Sequence, residues 1–252
     1  MNRGISLMAD EIFENPRLAD IYDSFDPDRS DLDAYESMVN EFGANSVLDI
    51  GCGTGTFACR LAARGIEVIG LEPAEASLKV AKTKHWSDRV RWIHGNALEL
   101  PPLKVDLVTM TANVAQVFLT EEEWKETLLA IRDVLRPGGR LVFETRKPES
   151  QAWQKWDREN TYQRVDVFNC GVVEGWVDVT DVQDSLVFFR WTYVFENDGA
   201  IITSDSTLRF RSLKEITKSL REVGLSVEDV REAPDRPGRE YVFIARRQTD
   251  VY

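Results

Sequence analysis

The sequence predicts an α/β fold with a mostly parallel sheet, followed by a region of antiparallel strands. A short apolar run at 47–50 ends in a glycine-rich turn, and a helical pattern of apolar residues follows it. Further short apolar runs recur along the chain, at 67–71, 89–94, 105–110 and 140–144. Short strands in alternation with helices are typical of parallel sheets. Residues 162–210 instead alternate around an Asn-Asp-Gly turn, which predicts three or four antiparallel strands.

The glycine-rich turn is the most informative local feature. Gly51, Gly53 and Gly55 follow a strand that Asp49 interrupts near its end, and a helix over 56–64 begins directly after them. Such a turn presents free backbone N–H groups at the positive end of a helix and binds a small ligand. The spacing differs from the G-x-G-x-x-G of dinucleotide sites. Asp49 would repel a pyrophosphate but would favour an ammonium or sulfonium group.

The strands that follow bring further candidate residues to the same edge. Glu72 ends the second strand, where an acid commonly accepts from both ribose hydroxyls, although a solvated carboxylate is the alternative. The third strand leads into Gly95-Asn96-Ala97, the fourth contains Asp106-Leu107-Val108, and Leu135-Arg136-Pro137-Gly138-Gly139 precedes the fifth.

These motifs, in this order over about residues 46–145, resemble the class I S-adenosylmethionine-dependent methyltransferases, specifically the small-molecule group. The resemblance implies a Rossmann-like seven-stranded sheet with helices on both faces and a C-terminal antiparallel hairpin, here with an antiparallel β insertion. The cofactor implied is S-adenosylmethionine, with S-adenosylhomocysteine as product. The segment Ala19–Asp23 also resembles the helix that often precedes this domain and closes over the cofactor.

The resemblance also assigns roles by position. The glycines would approach the methionine part, Asp49 its ammonium, Glu72 the ribose and Pro73 the adenine face. Asn96 stands where aspartate is commoner and would still accept from the adenine amine. The predicted cofactor-binding residues are Tyr22, Asp49, Gly51, Cys52, Gly53, Thr54, Gly55, Phe57, Glu72, Pro73, Asn96, Ala97, Thr111, Ala112, Gln116 and Val117.

The substrate side is predicted more sparsely. Arg146, Trp153, Trp156 and Arg190 are candidates for the pocket, although aromatic residues of a β hairpin usually pack its core. If Arg146 faces the pocket, an acceptor carboxylate or phosphate would be favoured. The two histidines, His85 and His94, are not convincing bases, so no catalytic residue is named and no metal site is predicted.

Composition narrows the partners. The chain has 31 basic and 43 acidic residues and a net charge of −12, which disfavours nucleic acid as substrate. Three scattered cysteines and the lack of an apolar run of membrane-spanning length predict a cytoplasmic protein without membrane contact.

Four segments are expected. They are an N-terminal helical cap over 1–45, a cofactor-binding core over 46–150, a β insertion over 151–210 and the completion of the core over 211–252. The insertion would serve as a lid and substrate wall, or as a homodimer contact, and these two interpretations are compatible.

The leading hypothesis for function is methyl transfer to a small-molecule nitrogen or oxygen, chiefly by proximity. A methyltransferase acting on RNA or protein and a non-catalytic S-adenosylmethionine-binding protein are the alternatives, and an NAD-dependent enzyme is a distant one. The acceptor itself is not predicted.

Overall fold

A computed structural model describes residues 9–248, which form two β-sheets and the helices that pack on them. The helices are α1 (Glu11–Glu14), α2 (Pro16–Phe25), α3 (Leu32–Glu41), α4 (Thr56–Ala63), α5 (Glu75–Ala81), α6 (Glu121–Val134), α7 (Arg158–Thr161) and α8 (Leu213–Glu222). The strands are β1 (Ser46–Ile50), β2 (Glu67–Glu72), β3 (Val90–His94), β4 (Val105–Met110), β5 (Leu135–Arg146), β6 (Gln163–Val167), β7 (Gly171–Gln183), β8 (Leu186–Phe195), β9 (Ile201–Arg209), β10 (Leu225–Glu232) and β11 (Glu240–Arg247).

The larger sheet has seven strands in the order β10-β11-β5-β4-β1-β2-β3. Strands β1 to β5 are parallel to one another, whereas β11 runs antiparallel to both β5 and β10. The predicted fold class, with its C-terminal hairpin, is therefore confirmed. The carboxyl ends of β1, β2, β4 and β5 meet at one edge, and β11 starts at that same edge.

The two faces of this sheet bury different halves of each apolar strand. Leu48, Val108 and Phe143 pack under α6 and α8, whereas Val47 and Val142 pack under α3 and α4. This follows from the alternation of side chains along a strand. Because both faces are covered, the strands read as continuous apolar runs.

The second sheet is antiparallel, with four strands in the order β6-β7-β8-β9. It lies between β5 and α8 in the chain, as the alternating pattern predicts. Its inner face shares a separate apolar cluster with α1 and α2, in which Ile12 and Ile21 pack with Val173, Tyr193 and Phe195. The N-terminal helices are thus bound to the insertion by buried apolar contacts.

One boundary differs from its prediction. Strand β5 begins at Leu135, so the segment Leu135–Gly139, expected to precede the fifth strand, belongs to it. Leu135 pairs with Val105, and the register shifts before Arg140 pairs with Leu107. The four-segment division of the chain stays a prediction. Within residues 9–248, none of the helices combines the length and apolarity that a bilayer crossing requires.

Candidate functional site

A single face of the larger sheet changes from apolar to polar as its strands reach the carboxyl edge. Two residues after Val47 in β1 stands Asp49, and two residues after Val142 in β5 stands Glu144. Glu72 occupies the equivalent end of β2. Because side chains repeat every second residue, these three buried carboxylates share one face. The arrangement collects acidic groups where ligands of open α/β sheets bind.

Asp49 is 1% exposed and is only half satisfied by the protein. Thr109 Oγ1 donates to its Oδ1 at 2.9 Å. Among the described residues, its buried Oδ2 accepts no hydrogen bond. Burial raises the pKa of Asp49 to about 7. A buried carboxylate of this kind would be stabilised by a cation placed against its free oxygen.

Glu72 is held by the backbone on both oxygens. The Gly53 N–H donates to Oε2 at 2.8 Å, and the Ala74 N–H donates to Oε1 at 2.9 Å. Burial raises the pKa of Glu72 despite these two donors. A carboxylate offers about four lone-pair sites. Glu72 therefore keeps capacity to accept from a ligand diol while it fixes the glycine-rich turn.

The glycine-rich turn needs glycine for two different reasons. Gly51 has φ +67°, and a Cβ added there would lie 2.6 Å from Val114 Cγ2 in the loop after β4. Gly53 has φ +54°, and a Cβ there would meet nothing within 4 Å. Gly51 thus allows close packing of two loops, whereas Gly53 presents bare backbone to open space. The loop that follows β4 consequently lies directly against the turn.

Helix α2 covers this turn. Thr54 Oγ1 donates to Asp23 Oδ1 at 2.6 Å, and Lys84 forms an ion pair with Asp23. Burial raises the pKa of Tyr22, and its ring lies 5.7 Å from that of Phe13. Helix α2 is therefore tied to the glycine-rich turn through Asp23, and its closing over a cofactor stays a prediction.

The predicted adenine turn has a closed local structure. Asn96 Oδ1 accepts from the Leu98 N–H at 2.9 Å, and its Nδ2 donates to Glu99 at 2.9 Å. Ala97 is buried behind it, and His94 Nε2 lies 2.9 Å from the Pro73 carbonyl oxygen. The Asn96 oxygen keeps one lone pair for a ligand donor.

The remaining predicted cofactor residues belong to the glycine-rich turn and to the loop after β4. Cys52 packs near Gly70, and burial raises the pKa of its thiol. Thr111 is buried at the end of β4, and Ala112 has φ +55°. Val117 is 42% exposed at the far end of this loop.

At the end of the loop after β4, Gln116 contacts Arg146. The Arg146 backbone N–H donates to Gln116 Oε1 at 3.3 Å, and Gln116 Nε2 donates to the Arg209 carbonyl at 3.2 Å. The Arg146 guanidinium lies 5.2 Å from the Trp156 ring centroid. Gln116 thus joins the end of β5 to the insertion.

Sequence reasoning missed a buried polar cluster beside these residues. Tyr35 on α3 donates to Glu144, and the Asn113 N–H donates to the same carboxylate at 3.2 Å. Asn113 Nδ2 donates to Glu240 Oε1 at 3.3 Å, and Arg236 Nη1 donates to that oxygen at 2.9 Å. Glu144 interrupts an apolar strand as Asp49 does, so one signal was present. Nothing local marks Glu240 or Tyr35.

Two predicted residues lie elsewhere. Phe57 is buried in the cluster under α3 and α4, with its ring 6.3 Å from that of Tyr35, so it belongs to the core. Arg190 forms an exposed ion pair with Asp205. Its neighbour Phe189 faces inward against Trp156, so Arg190 points from the opposite face of the sheet.

Trp153 also packs against apolar groups. Its ring lies 4.6 Å from that of Phe210, and the Trp156 ring lies 5.0 Å from that of Phe189. Trp156 therefore both packs on the insertion and contacts Arg146, whereas Trp153 packs on the buried Phe210 ring.

Strands β1 to β4 and the start of β5 lie in a region that is similar to known proteins. Residues 47–139 match the family model of a methyltransferase domain. An uncharacterized methyltransferase of Geobacillus sp. (strain WCH70) is 33% identical over 127 residues, which are 48% of this chain and 58% of the relative. One of Oceanobacillus iheyensis is 31% identical over 112 residues, 43% of this chain and 52% of the relative. The chain spans about half the length of the curated relatives it matches.

Solved structures extend the likeness of fold to the whole chain. The sugar N-methyltransferase KedS8 from Streptoalloteichus sp. superposes with a TM-score of 0.77 at 17% identity, over 98% of both chains. CalS10 from Micromonospora echinaspora, an amino pentose methyltransferase solved with bound S-adenosylmethionine, gives 0.69 at 20% identity, over 98% of this chain and all of its own. Residues 47–139 are therefore similar to a methyltransferase domain, and the chain has the fold of solved S-adenosylmethionine-dependent methyltransferases.

Proposed function

We propose that this chain transfers the methyl group of S-adenosylmethionine to a nitrogen or oxygen of a small-molecule acceptor. The observation that carries the proposal is the buried Asp49 carboxylate, which has one partnered and one free oxygen beside a bare glycine backbone. Its free oxygen suits the ammonium of the cofactor's methionine part. The residues at this edge therefore fit the group.

The other cofactor contacts are proposed from position and capacity. Glu72 would accept from the ribose hydroxyls with the lone pairs that Gly53 and Ala74 leave free. Pro73, Ala97 and Asn96 would border the adenine. Helix α2, held to Thr54 through Asp23, would cover the cofactor. Tyr22 would lie between the cofactor and the acceptor.

In this proposal the protein contributes chiefly position. Bound S-adenosylmethionine supplies an already activated methyl group. The β4 loop, anchored by Glu144 and packed on Gly51 through Val114, would hold the acceptor in line behind it. Orienting two reactants in this way is worth about 7–11 kcal/mol. Helix α2 and the insertion would exclude water from the site.

Amino sugars are the first acceptors to test. KedS8 is described as a sugar N-methyltransferase and CalS10 as an amino pentose methyltransferase, and both superpose on almost the whole chain. The net charge of −12 makes a nucleic acid a poor acceptor. The cytoplasmic location and the homodimer stay predictions.

The test is transfer of labelled methyl from S-adenosylmethionine to a panel of amino sugars, other amines and alcohols. The proposal predicts a labelled product with one equivalent of S-adenosylhomocysteine per methyl transferred. The same incubation with total RNA and with unfolded protein should give no label. Label in either macromolecule would replace the proposal by the corresponding alternative, and binding without any turnover would make the chain a non-catalytic member.

A further inference from the structure

Two buried acceptor oxygens beside the β4 loop lack donors. Glu240 is 1% exposed and Asn113 is 3% exposed. Within residues 9–248, neither Glu240 Oε2 nor Asn113 Oδ1 accepts a hydrogen bond. The two side chains contact each other, since Asn113 Nδ2 donates to Glu240 Oε1 at 3.3 Å. The two free oxygens thus belong to one small polar cluster.

This cluster lies beside Arg146 and Gln116, the residues proposed to face the acceptor. Glu240 pairs with Arg146 across β11 and β5, and Arg146 contacts Gln116 and Trp156. Asn113 is adjacent in the chain to Val114, whose side chain packs over Gly51. The cluster is therefore one residue removed from the contact between the β4 loop and the glycine-rich turn.

The charges in the cluster are already matched. Glu240 accepts from Arg236 at 2.9 Å, and the Arg146 Nε lies 3.7 Å from the same carboxylate. Glu144 accepts from Tyr35 and Asn113. An acceptor carboxylate or phosphate would compete with Glu240 for Arg146 and would leave the two free oxygens unsatisfied. A group with N–H or O–H donors would satisfy both oxygens.

We propose that Glu240 and Asn113 are specificity-determining residues that bind an N–H or O–H donor group of the methyl acceptor. This inference rests on the proposed function. The two residues would favour alcohols and amines, the latter neutral or cationic, over carboxylates and phosphates. It also reverses the preference that Arg146 alone suggested, because Arg146 serves here as the counter-ion of Glu240.

The preference is tested with two defined panels and labelled S-adenosylmethionine. One panel contains amino sugars, aliphatic amines and polyols. The other contains aliphatic and aromatic carboxylates and sugar phosphates without amines. The inference predicts label in the first panel and, for its best acceptor, a tenfold to hundredfold fall in kcat/KM in Glu240→Gln, carried mainly by KM. Asn113 is expected to contribute to acceptor binding through its contact with Glu240.

The matched control is Glu232→Gln, since Glu232 lies in the same C-terminal hairpin but forms a half-exposed ion pair with Lys147. It should change kcat/KM by less than twofold. S-adenosylhomocysteine is titrated into every variant, and its affinity should be unchanged in both. This titration separates loss of the cofactor site from loss of the acceptor subsite.

Two results would overturn the inference: no label in the first panel, whether or not the acidic panel is labelled, or an unchanged KM in Glu240→Gln. If S-adenosylhomocysteine binding is normal, these results argue against the acceptor subsite and not against the cofactor site. If Glu240→Gln does not fold, the panel preference of the wild-type chain still decides between donor-bearing and acidic acceptors.

Discussion

The two ends of the polar edge are built differently. The cofactor end, at β1 and β2, uses backbone N–H groups and two acids that lie within one βαβ segment. The acceptor end, at β4, β5 and β11, uses side chains from distant parts of the chain, such as Tyr35, Asn113 and Glu240. In the proposed function, the first end binds the cofactor by main-chain geometry, and the second end holds the acceptor by a side-chain network. The comparison indicates why the first carries a short motif and the second does not.

The largest effect is expected at Asp49, which tests whether the cofactor end depends on a buried charge. Asp49→Asn keeps the shape but removes the carboxylate that is proposed to face the ammonium of the cofactor. Losing a buried charge-assisted contact costs about 2–5 kcal/mol, so S-adenosylhomocysteine affinity should fall about 100-fold. Isothermal titration at pH 7.5 measures this loss.

The same substitution should stabilise the ligand-free protein. Folding raises the pKa of Asp49 from its ordinary 3.8 to about 7, so the folded state binds a proton that the unfolded chain releases between these values. Stability therefore falls as the pH rises through this window. We expect the Tm of Asp49→Asn to exceed that of the wild type at pH 8 and to approach it near pH 4. A lower Tm at pH 8 would contradict the assigned burial.

An intermediate effect is expected at Gly53, which tests the use of bare backbone. Gly53→Ala places a methyl group in the open space beside the turn and strains a residue at φ +54°. S-adenosylhomocysteine affinity should fall about tenfold, while unfolding in urea shows a loss of about 1 kcal/mol.

Gly65→Ala is the matched control, because Gly65 has φ +82° and equally open surroundings but lies at the end of α4. It should lose similar stability and no affinity. Equal affinity losses in both variants would mean that backbone strain, and not occupation of the site, causes the effect.

The smallest change in S-adenosylhomocysteine affinity is expected on substitution of Tyr35, which belongs to the acceptor end. Tyr35→Phe removes the hydroxyl donor to the buried Glu144 carboxyl. Urea unfolding should show a loss of about 1–3 kcal/mol, since an unsatisfied buried group costs that much. S-adenosylhomocysteine affinity should change by less than threefold. A tenfold loss would show that the two ends do not act separately.

The same comparison explains what could be predicted from the sequence. Asp49 and Glu72 lie at the ends of strands and the glycine-rich turn follows one directly, so strand periodicity and the order of motifs predict their place at one edge. The antiparallel insertion was also predicted, because its alternation and its Asn-Asp-Gly turn are local signals.

The acceptor end could not be predicted in the same way. Glu240 meets Asn113 only because β11 pairs with β5, and Tyr35 meets Glu144 only because α3 packs on that face. Arg190 was assigned to the pocket by residue type, but the pleat of β8 turns it to the exposed face. Such contacts are set by tertiary packing, which leaves no mark at fixed spacing in one sequence.

The most direct test of the central claim is isothermal titration of S-adenosylhomocysteine into the wild-type chain and into Glu72→Ala. Glu72 joins the Gly53 and Ala74 backbone to the proposed ribose position, so its loss removes a ligand contact and an anchor of the turn. We predict micromolar binding to the wild type and at least tenfold weaker binding to the variant. No binding to the wild-type chain, or equal binding to both, would contradict it.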